Sequence, residues 1–141
     1  MTTLAIDDPA TLAGVTAAFD RYEAALGANN IAVLDELFWD SAKTIRYGAG
    51  ENLHGSAQVA AFRAARPSQG LARRIFCTVL TTFGTDAATA CTLFRRASMP
   101  GKLGRQMQTW VRMPQGWRIV AAHVSFIDDP QGILGGRHED A

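Results

Sequence analysis

Between Leu12 and Leu26 the apolar residues Leu12, Val15, Phe19, Tyr22 and Leu26 recur at spacings of three and four. This is one face of an amphipathic helix. Asp7, Asp8 and Pro9 supply the acidic, proline-containing first turn that favours a helix start, and Gly27 supplies a stop, so the spacing predicts a helix over 9–27. Ile31, Leu34, Leu37 and Phe38 predict a shorter second helix over 30–38, ending near Trp39 and Asp40. Thr44 to Gly48 reads as a short strand entering a glycine-rich turn through Gly48 and Gly50. Ser56 is placed to cap a third helix over 56–65 carrying Val59 and Phe62, which must end before Pro67.

After Pro67 the period falls from 3.6 to 2. Four runs rich in β-branched and aromatic residues follow: Arg74 to Phe83, Ala87 to Arg95, Arg105 to Met113 and Trp117 to Phe126. Gly84-Thr85-Asp86 and Pro114-Gln115-Gly116 are tight turns between them. Helices first and strands afterwards predict an α+β fold, with the helices on one face of an antiparallel sheet. The chain reads as one domain over 1–141. Residues 127–141, with Gly132, Gly135 and Gly136, read as a loose tail.

Composition narrows the function. In 141 residues, 48% hydrophobic and 19% charged, there is enough apolar material for a core and no run of about 18 apolar residues that would cross a membrane. Residues 1–10 lack the basic start and apolar stretch of a signal peptide, which places the protein in the cytoplasm. A formal charge of +1 argues against a dedicated nucleic-acid binder. Arg73-Arg74 and Arg95-Arg96 read as charges at strand ends. Cys77 and Cys91 read as buried thiols, and His54, His123 and His138 have no metal-ligand spacing. P-loop, nucleophile-elbow and dinucleotide fingerprints are missing, so neither a metal nor an organic cofactor is expected.

The remaining candidates are single side chains. Tyr22 lies on the apolar stripe of the first helix, either as a core tyrosine or as a hydroxyl at the wall of a pocket. Strand alternation puts Thr44, Arg46 and Gly48 on one face and Ile45 and Tyr47 on the other; periodicity alone favours Ile45 and Tyr47 inside. Gln106, Gln108 and Trp110 share a face and could line a polar pocket or an exposed surface. His123 follows Trp117, Ile119 and Ala121 in the same alternation. Trp39 at a helix end reads as a hydrophobic plug or a stacking platform, and Asp40 and Glu51 as turn or cap residues.

The order of Phe38-Trp39-Asp40, Thr44-Ile45-Arg46-Tyr47-Gly48, Glu51-Asn52-Leu53-His54-Gly55, Gly104-Arg105-Gln106-Met107-Gln108-Thr109-Trp110 and Gly116-Trp117-Arg118-Ile119-Val120-Ala121-Ala122-His123-Val124-Ser125 resembles the nuclear transport factor 2-like (SnoaL-like) superfamily. Within it the chain is most similar to the AtzH/HpxZ family, from about Phe19 to Ser125. The resemblance implies a strongly curved sheet wrapped around three helices and enclosing a conical pocket. It implies a cofactor-independent amidohydrolase that converts 1,3-dicarboxyurea to allophanate with loss of a carboxyl group, in the catabolism of cyanuric acid and other ureido compounds. It also assigns catalysis to a tyrosine on the first helix and an arginine on the first strand, matching Tyr22 and Arg46, and so turns Arg46 inward against the periodicity. An inward arginine needs an anionic partner, which a small ureido dianion would supply. Gln106, Gln108, Trp110, His123 and Trp39 are the candidate substrate-binding residues. Members of this superfamily also include non-catalytic modules, so a small-anion-binding or assembly role is the alternative. Apolar residues on both sheet faces predict at least a homodimer.

Overall fold

Asp8 opens the first helix, α1 (Pro9–Ala28), by accepting hydrogen bonds from the Thr11 amide at 3.1 Å and the Thr11 hydroxyl at 2.7 Å. The computed structural model describes residues 3–134 of the chain. The buried stripe of α1 is Thr11, Val15, Phe19, Tyr22, Ala25 and Leu26. The helix passes through Gly27 and stops where Asn29 adopts a left-handed conformation, φ 51°. Asn30 then caps α2 (Ile31–Leu37). The third helix, α3 (Ser56–Ala65), starts from Gly55 at φ 90° without a side-chain cap. Ser56 is therefore not the cap that its position suggested. Its hydroxyl donates to Asp40 and accepts from the Ser41 amide, tying α3 to the loop after α2.

Six strands form one sheet: β1 (Ile45–Tyr47), β2 (Asn52–His54), β3 (Arg74–Phe83), β4 (Ala87–Arg95), β5 (Lys102–Met113) and β6 (Gly116–Asp128), in the order β2-β1-β6-β5-β4-β3. The four expected strands are present, with β5 starting three residues before Arg105 and β6 running two past Phe126. One pairing departs from the antiparallel expectation. β1 runs parallel to β6, Arg46 opposite Ala122, so the sheet is mixed. Hydropathy alternation shows which face a residue takes but not which distant strand it meets. The small strand β2, read from sequence as part of a turn, pairs antiparallel with β1.

Two β-bulges set which side chains point inward. In β6, Trp110 opposes Ile119 but Thr109 opposes Ala121, leaving Val120 as the extra residue. Trp117 and Ile119 face the helices, and beyond the bulge Ala122 and Val124 do so in place of Ala121 and His123. In β3, Cys77 and Thr78 together oppose Thr92, with Cys77 at φ 52°. The Thr92 hydroxyl donates to the Phe76 carbonyl inside this kink.

The core joins the stripe of α1 to Leu34, Leu37, Phe38 and Val59 of the other helical segments and to Ala88, Ala90, Trp110 and Ile119 of the sheet. After β6 the chain is pinned rather than loose. Asp129 is buried, pairs with Arg95, and accepts from the Ile133 and Leu134 amides. The rest of the expected tail, residues 135–141, lies outside the described residues. No described helix is long and apolar enough to cross a membrane.

Gly104 permits a close approach that a side chain would block. A Cβ there would lie 2.2–2.5 Å from three ring carbons of the fully buried Phe94. Gly104→Ala should therefore destabilise the fold by about 1–3 kcal/mol, as overpacking does. A Cβ at Gly27 meets nothing within 4 Å, and Gly27→Ala should add about 0.5–1 kcal/mol in the helix. Urea unfolding of both variants checks the pair; equal effects would show that Phe94 has room to move.

Candidate functional site

Beside the apolar core, several arginines converge on one part of the inner face of the sheet. Arg46 leaves β1 on the helix-facing side, with its side chain 12% exposed, and donates from Nη1 to Glu51 Oε1 at 2.7 Å. Its guanidinium also lies 5.5 Å from the centre of the Phe62 ring. Tyr47, on the opposite face, is 37% exposed. Alternation is thus kept but its sense is the reverse of the hydropathy reading, because Arg46 finds a carboxylate and an aromatic ring on the inner side. Glu51, read as a turn residue, is the counter-ion that makes this inward position tenable.

Tyr22 stands above this face on α1, buried, with its ring 6.3 Å from Phe38. Among the described residues its hydroxyl has no hydrogen-bond partner. It is within electrostatic reach of Arg63, Arg66 and Arg96. Arg63, near the end of α3, is buried, stacks over Phe38 at 4.8 Å and donates to Asp35 at 2.9 Å. Burial pushes its pKa down, and Asp35 offsets only part of that. Arg66 follows α3 with an extended backbone, ψ 153°, the conformation that Pro67 imposes on it. Burial and the neighbouring charge of Arg63 push Arg66 down to about 10. Arg96, just after β4, is pushed down by burial and by Arg73.

The arginine pairs of the sequence split across the sheet. Arg73 and Arg96 lie over Phe94, at 4.3 and 5.6 Å, whereas Arg74 and Arg95 lie over Phe76. Both pairs stand at strand ends, as expected, and one member of each belongs to the inner face. Arg73 is held by Glu23, one residue after Tyr22, and by Gln106 Oε1 at 2.9 Å.

The other sequence candidates separate into three places. Gln106, Gln108 and Trp110 face inward and are nearly fully buried. Their polar atoms are largely engaged within the protein: Gln106 braces the Arg73–Glu23 pair, and Gln108 Oε1 accepts from the Trp110 indole at 3.0 Å. His123 lies on the outer face, exposed, edge-on to Tyr47 at 6.3 Å, because the bulge at Val120 turned it there. Trp39 lines an open cleft of about 780 Å³ between α2, α3 and the start of β6, beside Asp35, Asp40 and Arg118. Arg63 lines that cleft but Tyr22 and Arg46 do not, so Trp39 meets the arginine cluster only at its Arg63 edge and His123 does not join it. No group of three potential metal ligands occurs among the described residues.

The chain belongs to the AtzH-like family, whose model matches residues 4–130. A crystal structure of a DUF3225-family protein from Pectobacterium atrosepticum shares 60% identity over 87% of this chain and 95% of its own, with a TM-score of 0.85. A cystatin-like fold protein from Burkholderia xenovorans shares 45% identity over 91% of this chain and 100% of its own, again at 0.85. An NTF2-like protein from Pseudomonas putida, 14% identical over 82% and 86% of the two chains at a TM-score of 0.67, shows the fold alone. No curated protein matches the sequence. The fold is therefore the NTF2-like α+β cone that the sequence motifs implied.

Gly48 gives the Arg46–Glu51 pair its room. A Cβ at Gly48 would lie 1.8 Å from Glu51 Oε1 and 2.5 Å from its Cδ. Gly48→Ala should expel the carboxylate and destabilise the protein by about 1–3 kcal/mol, yet cost much less in a Glu51→Ala background. A double-mutant cycle by chemical denaturation measures this. Equal losses in both backgrounds would mean that Gly48 serves the turn, not the ion pair.

Proposed function

We propose that this AtzH-like chain is a cofactor-independent amidohydrolase that removes one carboxyl group from 1,3-dicarboxyurea and releases allophanate, in cyanuric acid and ureido-compound catabolism. The observation that carries the reading is a tyrosine on the buried stripe of α1 whose hydroxyl has no partner among the described residues, within electrostatic reach of several arginines. Such a wall attracts a small anion and holds a proton donor against it. In the overall reaction the dianion and one water give the allophanate monoanion and bicarbonate. The carboxylated nitrogen gains the proton, its bond to the carboxyl carbon breaks, and that carbon leaves as carbon dioxide or its hydrate.

In this reading Arg46 binds a carboxylate through the N–H groups that Glu51 leaves free, and Tyr22 donates to the departing nitrogen or its carbonyl. Gln106, Gln108 and Trp110 support the floor beneath them. The reaction is assigned to the cytoplasm, where the thiols of Cys77 and Cys91 stay reduced. One observation favours the alternative of a non-catalytic anion-binding module: His54 and His123 are both exposed, away from the arginine cluster.

Turnover of freshly generated dicarboxyurea, followed as carbon dioxide and allophanate, decides between the two. Tyr22→Phe should keep the fold and still bind an unreactive dicarboxylate, with turnover lower by about 10²–10⁴-fold. Arg46→Lys keeps the charge but loses the planar fork, so its main effect should be on affinity. Wild-type protein without turnover above background would leave the binding module as the function.

The partner is a second copy of the chain. Tyr47, Val79 and Met107 share the outer face, Val79 60% and Met107 62% exposed, around a shallow depression with Cys91 and Thr109. With a formal charge of only +1, two copies approach without strong repulsion. The wild type should sediment as a dimer or larger at micromolar concentration, and Met107→Glu should shift it toward the 15.2 kDa monomer. A wild type that sediments as a monomer would exclude this interface.

A further inference from the structure

Five guanidinium groups gather around Tyr22 and Phe94, those of Arg46, Arg63, Arg66, Arg73 and Arg96. Three of them have carboxylates: Glu51 on Arg46, Asp35 on Arg63 and Glu23 on Arg73. Arg66 and Arg96 have none among the described residues. Buried Nε and Nη2 of Arg66 and buried Nε of Arg96 lack any acceptor. Hydrogen-bond donors of a charged group are rarely left buried and empty, because each costs its desolvation without return. Arg96 is packed instead against the faces of Phe94 and Phe126, which fix its position but take none of its N–H groups.

We propose that Arg66 and Arg96 form a second carboxylate subsite, which holds the far carboxylate of a dianion while Arg46 holds the near one. The inference rests on reading the inner face as an anion site and adds the selectivity of that site for two charges over one. Topology supports the separation. Arg46 enters from β1, whereas Arg96 enters from the end of β4, three strands away in the sheet order, and Arg66 from the end of α3. Arg66 and Arg96 act on each other, on Arg46 and on Tyr22 electrostatically, so an anion bound beside Tyr22 is within reach of both sets. The two uncompensated positive charges equal the charge of the dianion. Entry of that ligand neutralises the cluster, and a monoanion leaves one charge unmatched. After one carboxyl group is lost, the product is such a monoanion, so the same subsite favours product release.

Glutarate and pentanoate test this, because they share a five-carbon chain and differ by one carboxylate. Calorimetric titration of the wild type should show a clear preference for glutarate. Arg66→Met and Arg96→Met should each weaken glutarate binding by about 10- to 100-fold and leave pentanoate within about threefold, so the preference collapses. Arg46→Met should weaken both ligands alike. In the ligand-free state both Arg→Met variants should melt at or above the wild-type temperature, since an unpaired buried charge has been replaced by an apolar chain. Arg66→Lys serves as a second variant that keeps the charge and loses the planar donors. Glutarate binding unchanged in both Met variants would overturn the second subsite while leaving Arg46 as an anion ligand. A wild type that binds neither acid would overturn the anion-site reading itself, and the subsite with it. A large loss of ligand-free stability in both Met variants would make the two arginines structural.

Discussion

The arginine-lined part of the inner face depends on holding more positive charge than negative in a partly buried space. An arginine removed from water needs a carboxylate, an aromatic face or a ligand, since an isolated buried charge is costly. The fold supplies the first two in an ordered way. Glu51, Asp35 and Glu23 come from the turn after β1, from α2 and from α1, so each helical or strand layer that contributes an arginine is met by a carboxylate from a neighbour. The shortfall is confined to Arg66 and Arg96. Tyr22 stands where that shortfall is felt, because its α1 stripe is fixed by Val15, Phe19 and Leu26 in the core.

The aromatic residues hold this charge in place without neutralising it. Phe94 packs edge-to-face with Phe126 at 5.5 Å and carries Arg73 and Arg96 on its ring. Cation–π contacts of this kind are worth about 0.5–2 kcal/mol and leave the guanidinium edge free to donate. Phe94 can lie so close to the sheet only because Gly104 offers no side chain beneath it. Gly48 does the equivalent service for Glu51. Two glycines thus set the floor height at the two ends of the cluster.

Helix and strand positions were legible because they depend on local period, and the stripe from Val15 to Leu26 and the runs after Pro67 show that period cleanly. The parallel pairing of β1 with β6 was not, since it joins segments more than 70 residues apart and leaves no local mark. Val120 was not legible either: a bulge adds one residue to one strand, and alternation carried through it assigns His123 to the wrong face. The inward turn of Arg46 came from motif resemblance, as Arg-Tyr beside Ile gives a hydropathy signal of the opposite sense. Arg66 had one local sign, its place directly before Pro67, which ends α3 and fixes an extended backbone. Nothing local separates Arg96 from Arg95; only the register of β3 against β4 does.

The bulge in β6 carries a chemical consequence as well as a geometric one. Without Val120 as the extra residue, alternation would turn His123 inward opposite the buried part of β5, which would put an imidazole among the arginines. With it, Ala122 and Val124 occupy those places, and the inner face keeps a phenol and amides instead. Among several guanidiniums an imidazole would be held in its neutral form by like-charge repulsion and would serve poorly as a proton donor. A tyrosine hydroxyl carries its proton without adding to the positive charge. An arginine-rich anion site of the kind proposed is therefore better matched to Tyr22 than to a histidine, and the extra residue in β6 keeps His123 out of it.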